Sequence, residues 1–183
     1  TNSTFGFNRL ATMCDTFGPR FSGSPNLEKA IDWCLAQMKK DGFTNVHGEE
    51  VTVPRWVRGR ESATLLWPRA RALPMMGLGG SVGTPKEGIA ADVLVVKSFD
   101  DLKAKTAQAK GKIILFNLPF TEYRETVIVR TQGAIHAARA GAVASLIRSV
   151  GPFSMQTPHT GGMSYADGVK KIPHAALSLE DAN

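Results

Sequence analysis

A chain of 183 residues has room for one domain, or for one and part of another. Its composition, 43% apolar and 21% charged, is that of an ordinary globular protein, and no apolar run approaches the ~18 residues that would span a bilayer. The net charge of +6 is densest in Pro54–Arg60, but no nucleic-acid-binding module accompanies it, so the basic stretch reads as a solvated edge and nucleic acid is excluded as a partner.

The first predicted element is a helix over Phe5–Thr16, with Phe7, Leu10, Ala11 and Cys14 on one face and a break at Gly18. Ser24-Pro25 starts a second helix, serine as N-cap and proline in the first turn. Leu27, Ala30, Ile31, Cys34, Leu35 and Met38 form its apolar stripe, and Gly42 ends it. Both cysteines are thus expected on buried faces of adjacent helices. Two buried thiols and one disulfide are both open at this point.

Glu49–Val53 is a candidate strand. Beyond Trp56 the texture turns β-rich, with strand runs at Ser62–Trp67, Leu73–Leu78 and Asp92–Val96 between Gly and Pro turns. Ser98-x-x-Asp101 resembles a capping box and opens a helix through Ala109. Lys110–Asn117 contains a buried strand, Tyr123–Ala140 a helix rich in small residues, and Val143–Arg148 and Pro173–Ser178 further strands. In the helix, Gly133, Ala134, Ala137 and Gly141 read as packing residues. Ser178-x-x-Asp181 opens another helix whose body is absent, which predicts a chain cut short. The fold class is α/β, an incomplete helical segment followed by a β-rich α/β module.

Few residues invite chemistry. Gly79-Gly80-Ser81-Val82-Gly83 matches the nucleophile-elbow spacing, but Thr84-Pro85 follows where a helix is needed, so it reads as a glycine-rich loop. The third glycine of a dinucleotide fingerprint would fall on Val82. His47, His136, His159 and His174 form no zinc motif, and His136, with Gln132 and Ala140 four residues to either side, reads as the edge of a packed helix. Glu49 and Glu50, adjacent on a strand, would point to opposite faces and cannot pair as acid and base. His159, in the polar loop TPHTGG, reads either as part of a loop-ordering hydrogen bond or, with Thr160, as a candidate contact to substrate. Asn2-Ser3-Thr4 is a glycosylation sequon. The residues alone yield no catalytic and no metal-ligating position.

Long stretches nevertheless resemble a known family. GPRFSGSPNLEKAIDWCLAQMKKDGFTNVHGEEVTVPRW is similar to the lead-in to the peptidase domain of the carboxypeptidase Q (plasma glutamate carboxypeptidase) family. GLGGSVGTPKEGIAADVLVV, GKIILFN, YRETVIVRTQGAIHAARAGAVASLIRSV, TPHTGG and DGVKKIPHAALSLEDA resemble its inserted protease-associated domain. The resemblance implies residues 1–61 as an incomplete part of the peptidase domain and 62–183 as the protease-associated domain.

It implies further a secreted or lysosomal, glycosylated, homodimeric exopeptidase that hydrolyses dipeptides with free termini. Two zinc ions would activate a water and polarise the scissile carbonyl, with a glutamate as general base. The family's zinc ligands and catalytic glutamate lie beyond the protease-associated domain, so the resemblance assigns no catalytic or metal residue within 1–183 and implies a chain inactive alone. An oxidising compartment favours a Cys14–Cys34 disulfide and a glycan on Asn2. The alternative is a protease-associated binding or sorting module without catalysis; the peptidase-like segment Thr1–Trp56 argues against it.

Overall fold

The computed structural model of the chain describes residues 3–183, so the expected glycosylation site Asn2 lies outside the described residues. By its contacts the chain divides into two units, Thr1–Val57 and Arg58–Asn183.

The first unit holds two helices, α1 (Phe5–Phe17) and α2 (Pro25–Lys40). Gly18, at φ +58°, stops α1 in a backbone region that disfavours a side chain, and its N–H caps the Cys14 carbonyl. Ser24 Oγ accepts from the Leu27 N–H at 3.2 Å with Pro25 in the first turn, as the sequence predicts, and Lys39 and Lys40 sit at the negative end of the helix dipole. A bidentate Arg9–Asp41 pair and the rings of Phe17 and Trp33, 5.9 Å apart, join the two helices.

This unit has almost no core. Ala30 is its only buried apolar residue among those described, while Phe7 is 74%, Leu10 60% and Phe43 62% exposed. The expectation that both cysteines face inward is corrected accordingly. α1 buries no residue, so Cys14 is exposed; Cys34 is half-buried, and both are free thiols with no disulfide between them in this structure. No strand forms at Glu49–Val53, which runs without regular structure: a strand needs a partner edge, and none lies beside it among the described residues.

The second unit is a five-stranded sheet in the order β3-β7-β6-β5-β4. Its strands are β3 (Met75–Gly77), β4 (Val93–Val96), β5 (Ile113–Phe116), β6 (Ala144–Arg148) and β7 (His174–Leu177). β4, β5, β6 and β7 are parallel neighbours, and β3 closes one side antiparallel to β7. A separate hairpin pairs β1 (Ala63–Leu65) with β2 (Arg71–Leu73). The run Leu73–Leu78, read from sequence as one strand, is split by Pro74, which lies between a residue paired in the hairpin and one paired in the main sheet.

Alternation divides the sheet into two faces. Val96, Ile114, Phe116, Ile147 and Ala176 point to the main core beneath α3 (Phe99–Ala104) and α6 (Ile128–Arg139). Leu115, Leu146 and Leu177 point to a smaller cluster with Ala63 and Leu73 of the hairpin and Ala182 of α7 (Leu179–Ala182). Two of the predicted helices differ from expectation in detail. The helix from Ser98 breaks at Lys105 into α3 and α4 (Thr106–Ala109), and the helix from Tyr123 breaks at Val127 into α5 (Tyr123–Thr126) and α6. Ser98 and Ser178 cap as the sequence predicts, each accepting from the N–H three residues on.

Gly133, Ala134 and Ala137 are buried under the sheet face of α6 and allow close approach. A Cβ on Gly133 would stand 3.0 Å from His174 Cε1 and 3.2 Å from Phe116 Cε2. Gly141 has a different role from the packing one expected of it: it is exposed, at φ +83°, and turns the chain out of the helix. β4 is the open edge of the sheet. Its outward Val95 carbonyl accepts from Lys105 Nζ at 3.4 Å.

Candidate functional site

The loop TPHTGG is held firmly against the sheet. The His159 N–H donates to Ser149 Oγ at 2.8 Å, Thr160 Oγ1 donates to the Gly77 carbonyl at 3.2 Å, and Gly79 N–H donates to the Gly161 carbonyl at 2.8 Å. The two sequence-predicted residues separate at this point. Thr160 is half-buried and spent on the backbone of β3; the His159 ring is exposed.

The His159 ring meets the Tyr123 ring edge-on at 6.1 Å, and Tyr123 in turn lies beside Arg130, from the first turn of α6. Arg130 Nη2 donates to the Tyr123 hydroxyl at 3.0 Å, and its guanidinium carbon is 5.6 Å from the ring centroid. The guanidinium also lies flat on Gly161, where a Cβ would stand 2.6 Å from its carbon. Arg130 Nε is buried with no hydrogen-bond partner, and Arg130 has no carboxylate within ion-pair distance among the described residues. A cation held in place by a phenol, a ring and a glycine, and lacking a counter-ion, is suited to receive a carboxylate through paired N–H donors. The sequence reading singled out His159 and not Arg130 or Tyr123, because an arginine at a helix start reads as solvated.

The other histidines do different work. His136 stacks on Phe99 at 3.8 Å between centroids; burial, then Arg139, lowers its pKa. It lines a groove of about 360 Å³ between α3 and α6. His47 is exposed, 3.6 Å from Glu49. His174 is 1% exposed, with Nδ1 3.2 Å from the Ser145 carbonyl and Nε2 3.2 Å from the Val129 carbonyl. A neutral imidazole has one N–H and satisfies one of these at a time. Burial pushes its pKa below the ordinary 6.5, against the pull of those carbonyls. Ser81, of the elbow-like spacing, accepts from the His174 N–H at 2.9 Å and donates to the Val82 carbonyl, in a loop with no helix after it.

Among the described residues no three His, Cys, Asp or Glu side chains converge where a metal could be held.

No family model matches the chain. Curated relatives do. Carboxypeptidase Q of Homo sapiens is 53% identical over 176 residues, 96% of this chain, and that of Xenopus laevis 52% over the same span. This chain is similar to carboxypeptidase Q over nearly its whole length. It spans only 37% of the human protein. A peptidase M28 precursor from Shewanella amazonensis SB2B superposes with a TM-score of 0.89 at 36% identity, covering 98% of this chain and 42% of that one. BSAP, a zinc aminopeptidase from Bacillus subtilis, shares the fold with a TM-score of 0.70 at 23% identity, covering 96% and 39%. The carboxypeptidase Q similarity runs through both units, α1 and α2 included.

Proposed function

We propose that this chain is part of a two-zinc exopeptidase that cleaves dipeptides with free termini. In this reading residues 1–61 belong to the peptidase domain and residues 62–183 form a protease-associated domain that helps receive the substrate. The single observation that carries it is the 53% identity with carboxypeptidase Q across 96% of the chain. An enzyme of that name must recognise a terminal carboxylate, and Arg130, unpaired beside Tyr123 and His159, offers the chemistry to do so. In this reading the zinc ligands lie outside this chain, in the part of carboxypeptidase Q that it does not span.

The test uses the full-length protein and the chain 1–183 together. The full-length protein is expected to bind zinc and cleave a dipeptide, and the shorter chain to do neither after dialysis against zinc. Arg130→Gln in the full-length protein should raise KM for a dipeptide with a free C-terminus and leave the amidated dipeptide, already a poor substrate, unchanged. Equal loss on both would remove Arg130 from carboxylate recognition. A full-length protein without hydrolase activity would favour a binding or sorting module instead.

The same reading carries a secreted or lysosomal location, a glycan on Asn2 and a homodimer. Glycosidase treatment of native material should lower its mass, and sedimentation of the full-length protein should give twice the chain mass.

A further inference from the structure

Three parallel strands of the second unit are in register near their carboxyl ends. Val96, Phe116 and Ile147 are aligned across β4, β5 and β6, and the residues that follow them are Lys97, Asn117 and Arg148. Adjacent strands lie about 4.8 Å apart, so the outer two of this row are separated by about 10 Å. Because alternation sends Val96, Phe116 and Ile147 into the main core, the row that follows takes the opposite face, at the carboxyl ends of the strands. All three line one crevice of about 210 Å³, completed by Pro119 and Asn183.

Every member of the row can donate, and two are cations. Arg148 Nη1 donates to the Leu118 carbonyl at 2.8 Å, which fixes the guanidinium. Its Nε is buried without a partner. Neither Arg148 nor Lys97 has an ion pair among the described residues. Asp101, which accepts from the Lys97 backbone N–H at 2.9 Å, is already paired with Lys105 Nζ at 2.9 Å. A buried N–H of a cation without an acceptor is costly, and an anionic oxygen relieves that cost best. The carboxyl ends of parallel strands are also where open α/β sheets place their ligands.

We propose that Lys97, Asn117 and Arg148 form a binding site for a small oxyanion. Arg148 supplies the fixed donor, Asn117 the neutral one in the middle and Lys97 the mobile charge at the rim. The site is separate from Arg130 and does not rest on the peptidase reading. The oxyanion is either a free phosphate or carboxylate in solution, or a carboxylate of a polypeptide.

The test is a titration of the isotope-labelled chain 1–183 with inorganic phosphate and, separately, succinate, at constant ionic strength, followed by the NMR signals of Arg148 Nε–H and the Asn117 side-chain amide. A saturable shift of both is expected. Arg148→Gln and Lys97→Gln should each weaken it about tenfold, the loss of one charge-assisted hydrogen bond. Arg148→Lys should retain part of the binding, and unchanged backbone spectra would show that each variant folds. Lys86→Gln, which removes an exposed charge elsewhere, should change nothing. Absence of a saturable shift, or an equal loss with Lys86→Gln, would overturn the site. Repeating the titration on the full-length protein separates the two sources. Retained binding identifies a free anion. An Arg148 Nε–H signal already at its bound position identifies a polypeptide carboxylate. Loss of binding without that position would overturn the proposal.

Discussion

Gly133→Ala is the most informative single substitution in the helix that carries Arg130. Two effects oppose each other. In a helix interior alanine is favoured over glycine by about 1 kcal/mol. Against this, the new Cβ would stand 3.0 Å from His174 Cε1, 3.1 Å from its Nε2 and 3.2 Å from Phe116 Cε2. Contacts that short require the neighbours to retreat by a few tenths of an ångström. Neither has room: Phe116 is fully buried, and the His174 ring sits between two backbone carbonyls. Overpacking of this kind costs about 1–3 kcal/mol. The expected net is a loss of about 0–2 kcal/mol, roughly 4 °C in Tm for each kcal/mol in a unit of this size. Thermal and urea melts of the chain 1–183 measure it, and a double-mutant cycle with His174→Ala separates the terms. Once the ring is gone only the Phe116 contact remains, so the loss should shrink or reverse. If Gly133→Ala raises the midpoint equally in both backgrounds, the close approach of α6 to the sheet is not what glycine serves.

Three further outcomes follow from the same structure. Burial lowers the pKa of His174, and of His136, below 6.5, so the folded state binds fewer protons than the unfolded chain; their contribution is intact above that value and is lost as pH falls through it. Urea midpoints at pH 7.5 and 5.5 should therefore differ, and His174→Phe should shrink the difference; an unchanged difference would assign it elsewhere. Ser98→Ala removes the acceptor for the Asp101 N–H and should cost about 1 kcal/mol, read from the same melts. Both thiols of chain 1–183 should titrate with a thiol reagent without denaturant, Cys14 faster than the half-buried Cys34; no reaction before reduction would restore the disulfide.

What was legible in the sequence was local. Ser24, Ser98 and Ser178 announce their helices because a cap acts within three residues, and the parallel strands announce themselves as short apolar runs between turns. What depends on partners distant in the chain was not legible. Glu49–Val53 has the composition of a strand and no edge to pair with among the described residues. Cys14 lies on an apolar stripe that nothing in its unit covers. Arg130 acquires meaning only beside Tyr123 and Gly161, and the row of Lys97, Asn117 and Arg148 exists only once three strands are in register.

The Lys105 contact to β4 has a consequence for the behaviour of the unit in concentrated solution. An edge strand with Val93 and Val95 exposed is a template for a strand from another molecule, and such additions propagate into aggregates. The ammonium of Lys105 occupies an outward carbonyl that an incoming strand would need, and it brings a charge that strand would have to bury. Lys105 thus serves as a gatekeeper: its loss would leave the fold intact and shift the chain toward self-association.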